Sequence, residues 1–515
     1  MDWTSGYVSE IDYTHGYYRA LAPELIDFSL LLAGYEPPRR EGARYLELGY
    51  GQGLTLNVHA AAAPGEYWGT DFNPTHASNA QTLAKASGAD ARLFDDGFAD
   101  LGRRGDLPMF DYIVLHGVWS WVSDDNRRKI TDILRDHLKV GGAVYISYNA
   151  LPGWASAMPL RHLMATHMEA AGNLAQGLIS RIDAAIGFGR SLAESDARYF
   201  TANPTAKSRL DMIAGQNRNY LAHEFFNRDW SPMHFSEVHR WLSEAKLGYA
   251  AAASPLEQLD AFNMTAAQQK LLSGIGYDVL RETVRDYVLN RQFRADLYTR
   301  GARRLTPLER SERWNEVRVV LTKPAEAIPM EAQTSRGKVT LKEELYRPVI
   351  DVLADGGGAP QRLADLADRP ELSHLPPGGL FEIVAALVGA DYASPAQTDA
   401  AIEAAKPACA RLNAHLVGRA KLSNEVAYLA SPVIGGGVQV SRFEQMFLDA
   451  RARGKKTPDD WARDAWQVLA KQNQSIIKNG VVLKTPDENL EELSAYAKAL
   501  AERALPLYQR LGVVD

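Results

Sequence analysis

The stretch Arg44-Tyr45-Leu46-Glu47-Leu48-Gly49-Tyr50-Gly51-Gln52-Gly53 leaves a chain few folds to choose from. A short apolar strand ends in an acid, and glycines follow at every second position. Leu54 to Ala63 then runs through good helix formers and stops at Pro64-Gly65. Glycine lets a backbone turn sharply and approach a ligand closely, so strand, glycine loop and helix together spell a nucleotide-cofactor site. The next strand, Tyr67 to Asp71, ends in an acid placed to accept both hydroxyls of a ribose. A dinucleotide fingerprint, G-x-G-x-x-G, fails here. Counted from Gly51 its third glycine falls on Leu56, and counted from Gly49 it falls on Leu54.

The pattern E-x-G-x-G-x-G, with an acid closing the following strand, resembles motif I of class I S-adenosylmethionine (SAM) methyltransferases. The resemblance implies SAM as cofactor, held by Glu47, Gly49, Gly51, Gly53 and Asp71. A third strand, Ala91 to Phe94, leads to Asp95-Asp96. The same resemblance implies that one of the two accepts the adenine amino group, and either could instead cap the next turn. Asp111 to His116 and Gly142 to Asn149 read as the fourth and fifth strands. Strands alternating with helices argue a parallel sheet covered on both faces. Ligands on such sheets bind beyond the carboxyl ends of the strands. That places Glu47, Asp71, Asp95 or Asp96, His116 and Tyr148-Asn149 along one rim, with His116 as a cofactor-side residue.

Composition narrows the function classes. A hydrophobic content of 46% supports real cores, and 515 residues suggest roughly two to four domains. Net charge is -6 without basic blocks, so nucleic acid is not the expected partner. The single cysteine, Cys409, excludes an internal disulfide framework and cysteine-based zinc clusters, and reads as a small apolar helix residue. His223-Glu224 has no second set of spaced ligands, so no metal is expected. No signal peptide is visible, and no uncharged apolar run reaches the ~18 residues of a membrane span. The expectation is a cytoplasmic protein.

Longer blocks carry a sharper resemblance. His116-Gly117-Val118-Trp119-Ser120-Trp121-Val122 and Ser147-Tyr148-Asn149-Ala150-Leu151-Pro152-Gly153-Trp154 resemble bacterial methyltransferases with a methyltransferase regulatory domain. Asp71-Phe72-Asn73-Pro74, Tyr220 to Asn227 and Asp286 to Arg294 are similar to the same family. It includes rickettsial lysine methyltransferases of outer-membrane proteins. Tyr50 departs from the usual cysteine between the glycines and could narrow the cofactor mouth. The family implies a class I α/β fold, a Rossmann-like seven-stranded sheet with a helical insertion. It also implies a protein substrate, dimerisation and substrate control through the region after the fifth strand.

The chain then divides as follows. Residues 1–42 form an arm crowded with Tyr7, Tyr13, His15, Tyr17 and Tyr18, read as a packed segment or a lid. Residues 43–154 are the SAM-binding core, 155–230 a helical insertion and 231–325 the rest of the methyltransferase domain. The sixth and seventh strands are expected at Leu247 to Ala253 and Arg291 to Tyr298. Residues 326–400 form a winged-helix-like unit reached through a polar linker at 326–345. Residues 401–515 are a helical domain anchored by Trp461, Trp466 and Leu469, with a docking or oligomerisation role. In-line methyl transfer asks the protein to align the nucleophile and exclude water. A lysine nucleophile must first shed a proton held at a reference pKa of about 10.4, and an apolar pocket lowers that value. Trp119, Tyr148 and Asn149 are the candidate catalytic residues, with Trp121 and Trp154 beside them. Protein-lysine methyl transfer is the first expectation. A small-molecule or lipid methyltransferase and a non-catalytic SAM-binding scaffold are the alternatives.

Overall fold

The computed structural model describes residues 15–170, 177–376 and 378–515. Seven strands build one sheet: β1 (Arg44–Leu48), β2 (Glu66–Thr70), β3 (Ala91–Phe94), β4 (Phe110–Leu115), β5 (Leu138–Asn149), β6 (Gly248–Ala252) and β7 (Phe293–Thr299). Their order is β3-β2-β1-β4-β5-β7-β6. The first five strands run parallel, as the strand-helix alternation predicts. β7 departs from the all-parallel expectation and lies antiparallel between β5 and β6. The reason is where the preceding helix, Asp278–Leu289, delivers the chain. Gln292 and Arg291 carbonyls accept from Ala150 and Gly153 N–H, just past the carboxyl end of β5. A strand that enters the sheet from that end must run against β5.

One buried ion cluster fixes this corner. The Arg294 guanidinium is fully buried and donates to Asp296 at 2.8 Å, Asp286 at 2.7 Å and Glu282 at 3.1 Å. It ties the helix Asp278–Leu289 to β7, and Tyr148 of β5 donates its hydroxyl to Asp296 at 2.9 Å. Removing Arg294 would take the shared cation from three buried acids, the kind of change that costs about 3–5 kcal/mol.

Among the described residues between Met158 and Glu224 the insertion is helical, as expected, and Leu160, Met164, Ile182, Ile186 and Leu210 form its own core. The stretch expected as a linker at 326–345 is instead structured. Glu331–Thr334 pairs with Gly337–Thr340 as a hairpin, and Ile328, Ala332 and Leu341 are buried in the middle unit. That unit holds three helices, Glu343–Ala354, Leu363–Ala367 and Gly379–Gly389, against a three-stranded antiparallel sheet. Its central strand, Arg318–Leu321, lies before the boundary drawn at 325.

The helix Leu54–Ala62 behind the glycine loop is buried at every residue. Its outer side meets the long helix Asp399–Arg419. Leu54, Val58, Ala61 and Leu83 share one apolar core with Cys409, Leu412, Leu416 and Trp461. Cys409 is the small buried helix residue expected, and its thiol donates to the Ala61 carbonyl at 3.3 Å. Trp461 and Leu469 anchor this core, and Trp466 packs at its edge.

Fully burying a large aliphatic side chain contributes about 1.5–3 kcal/mol, so uncovering several at once exceeds typical domain stability. A chain cut after residue 325 is therefore expected to aggregate and to lose cofactor binding. Static light scattering with calorimetry checks this, and a soluble truncated chain of unchanged affinity would contradict it.

Candidate active site

Loops leaving the carboxyl ends of β1 to β4 meet around one cavity of about 200 Å³. The glycine loop forms its floor. Gly49 and Gly53 sit at φ of 76° and 74°, a region L residues rarely adopt. A Cβ on Gly49 would also come 2.5 Å from Val118 Cγ2, and one on Gly53 would come 2.3 Å from Ala80 Cβ. Gly49 and Gly51 line the cavity, whereas Gly53 lets the loop press onto the helix Pro74–Ser87 and does not reach it.

Asp71 braces the loop from β2. Its carboxylate accepts from Gly51 N–H at 2.9 Å, Asn73 N–H at 3.1 Å and His76 Nδ1–H at 3.0 Å. A carboxylate offers about four acceptor positions, so roughly one remains for a ligand hydroxyl. Glu47, at the end of β1, is buried in the lining, and burial pushes its carboxyl up to about 8. Tyr50 lines the cavity, and its hydroxyl is tied down by donating to the Phe94 carbonyl at 2.6 Å. Of the two acids after β3, Asp96 lines the cavity and receives Arg104 at 3.0 Å, while Asp95 is exposed and lies outside it. His116 lines the cavity from β4. Tyr145 Oη and Ser147 Oγ lie 2.9 Å and 3.2 Å from its Nδ1, Tyr18 stacks at 3.9 Å, and burial lowers its pKa to about 4.

The three candidate catalytic residues are not brought to this cavity. β5 alternates faces, so Tyr145 and Ser147 turn to His116 while Tyr148 turns to the opposite core and to Asp296. Trp119 is fully buried in that same core. It starts a one-turn 3-10 helix, Trp119–Trp121, whose pitch sends Trp121 to the cavity instead. Asn149 ends β5; its N–H donates to Ser120 Oγ at 2.9 Å, and its side chain is not in the lining. Trp154 is held by Gln292 under Arg209. Tyr7 and Tyr13 fall outside the described residues, but Tyr18 of the same arm does line the cavity. So do Gln52, Phe72, His76, His223, Asn227 and Asp229, to which the sequence reading gave no role. The family block Tyr220 to Asn227 was the available signal for two of them.

A larger groove of about 1260 Å³, lined by Glu24, Asp27, Arg40 and Arg303, opens beside Asp111 and Gly142. It lies at the amino ends of the strands, where open α/β sheets do not place ligands.

A methyltransferase domain matches residues 46–144, and a predicted methyltransferase regulatory domain matches residues 217–300. The chain is 38% identical to an uncharacterized protein of Synechocystis sp. over the full length of both. It belongs to the class I SAM-dependent methyltransferases with a methyltransferase regulatory domain. An uncharacterized protein of Rickettsia prowazekii is 28% identical over 56% of this chain and 51% of its own. The methyltransferase shares its fold with PKMT2 from Rickettsia typhi, solved in complex with AdoHcy. The TM-score is 0.70 at 20% identity, over 97% of this chain and 100% of that one. Among the described residues no helix is long and apolar enough to cross a membrane.

Glu47 yields a pH prediction. With its folded pKa raised, the native state binds more protons than the unfolded chain between the ordinary carboxylate range and about 8. Stability from this site is present at low pH and is lost as pH rises through that window. The neutral variant Glu47→Gln should therefore gain Tm relative to wild type as pH goes from about 5 to about 9. A difference that stays constant across that range would contradict the assignment.

Proposed function

We propose that this methyltransferase transfers a methyl group from SAM to lysine side chains of a protein. The observation that carries the reading is a single cavity. It joins the glycine loop and Asp71 to an aromatic and acidic wall of Trp121, Phe72 and Asp229. The family resemblance to rickettsial lysine methyltransferases supports the same acceptor. So does the shared fold with PKMT2. A cytoplasmic location and homodimerisation belong to this reading.

Bound SAM supplies a methyl group on a sulfonium: a lysine Nζ lone pair forms the N–C bond while the C–S pair returns to sulfur, giving S-adenosylhomocysteine. The amine loses one proton to water before attack and the product loses another. The chain's residues do the rest. Glu47, Gly49, Gly51, Asp71, Asp96 and His116 line the cavity and would hold the cofactor, Asp71 by accepting a ribose hydroxyl and Asp96 by accepting the adenine amino group. With its pKa lowered, His116 stays neutral at neutral pH, so it adds no positive charge next to a sulfonium. Tyr18 over His116 excludes water from that side. Aromatic faces near the acceptor cover a lysine stem and favour its cation by ~0.5–2 kcal/mol.

Two experiments test the reading. Asp71→Ala removes a charge-assisted acceptor and a loop brace, so SAM affinity should fall by about 1.5–3 kcal/mol, roughly ten- to a hundredfold, in calorimetry. Unchanged affinity contradicts the cofactor assignment. Labelled methyl transferred to an extract should appear, after peptide mass mapping, on lysine Nζ. Label on an oxygen or in the lipid fraction contradicts the acceptor.

A further inference from the structure

The segment 223–229 enters the cavity from the matched regulatory region, and its chemistry differs from that of the cofactor end. Asn227 is almost fully buried. Its Nδ2 donates to the Trp121 carbonyl at 3.4 Å, which leaves the other end of the amide, Oδ1, to find its own partner. Asn227 Oδ1 and Trp121 Nε1 find no hydrogen-bond partner among the described residues, although both are buried and both residues line the cavity. Buried polar groups are rarely left unpaired, and an unmade bond there is costly. A bound ligand can supply the missing partners.

The surroundings hold the backbone of this segment still. Arg161, on the helix Met158–Ala170, donates to the Phe225 carbonyl at 2.9 Å and also to the Asn227 carbonyl. Two residues on, Asp229 lines the same cavity with a half-buried carboxylate, shared with Arg228 at 3.2 Å. An oriented carbonyl beside a carboxylate, walled by an indole, suits a donor that carries several N–H groups and a positive charge. A carboxylate, phosphate or hydrocarbon ligand would leave Asn227 Oδ1 unmet and would face Asp229 unfavourably.

We infer that Asn227 and Asp229 are the amine-recognition residues, with Asn227 Oδ1 accepting an N–H of the acceptor lysine and Asp229 balancing its charge. This rests on the lysine reading above. It adds that the regulatory region is part of the acceptor site and not only a distant control element. Holding one N–H on Asn227 leaves the nitrogen lone pair free to turn toward the methyl group.

The test uses the full chain, tritiated SAM and two synthetic peptide libraries, one containing lysine and one with norleucine in its place. Wild type should label only the lysine library. Asp229→Asn and the near-isosteric Asn227→Leu should raise KM for that library by about tenfold or more, with SAM affinity within about threefold of wild type. Asp229→Glu and Asn227→Gln, which keep the charge and the amide respectively, should recover most of the loss. Lysine labelling with KM unchanged in Asp229→Asn and Asn227→Leu overturns the inference and leaves the lysine reading standing. Loss of SAM affinity in the same variants makes the pair structural and also overturns it. Label in the norleucine library, or in neither library while SAM binds, overturns the lysine reading and the inference with it.

Discussion

The helix Leu54–Ala62 has no solvent face, and the cofactor loop depends on that. At its start, Asn57 Nδ2 donates to the Gly53 carbonyl at 2.8 Å and to the Ala80 carbonyl at 3.0 Å, locking the loop to the neighbouring helix. At its end, Gln397 donates to the Ala62 carbonyl at 2.7 Å and Cys409 to that of Ala61. The sheet covers one side and the C-terminal domain the other. Residues 397–515 thus act on the site through packing. They hold the helix whose first turn carries the glycine loop.

The cavity separates two chemistries. The end proposed for the cofactor is built from loops after β1 to β4, with a neutral histidine and carboxylates that are braced or buried. Its other end borrows Asn227 and Asp229 from a segment far along the chain, brought in by the helical insertion. The Arg294 cluster lies where the chain returns from that excursion. It pins β7 and the helix Asp278–Leu289 at the edge where the chain returns.

Much of this was legible in the residues. The strand-loop-helix at Arg44 to Ala63, the acid ending β2 and the run of apolar strands are local patterns, and local patterns survive folding. Asp96 could not be told from Asp95 because both follow the same strand, and only the turn decides which faces inward. Tyr148 and Trp119 sit beside site residues in sequence but on the other face of their elements. Strand alternation would have separated Tyr148 from Ser147, while the one-turn helix after β4 gave no such period to read. The hairpin at 331–340 was hidden by polar composition, since only Ala332 of its two strands is buried. Asn227 lies in the family block Tyr220 to Asn227, but the block does not show which carbonyl orients its amide, and its role depends on that.

The central claim is that the carboxyl-end cavity, and not the larger amino-end groove, is where the adenosyl ligand binds. Hydrogen-deuterium exchange with and without S-adenosylhomocysteine tests it most directly. Ligand protection should be confined to the amides at 49–53, 71–76, 96–98 and 116–118, with residues 36–42, 301–303 and 395–398 unchanged. Protection centred on that second group, with the glycine loop unaffected, would contradict it.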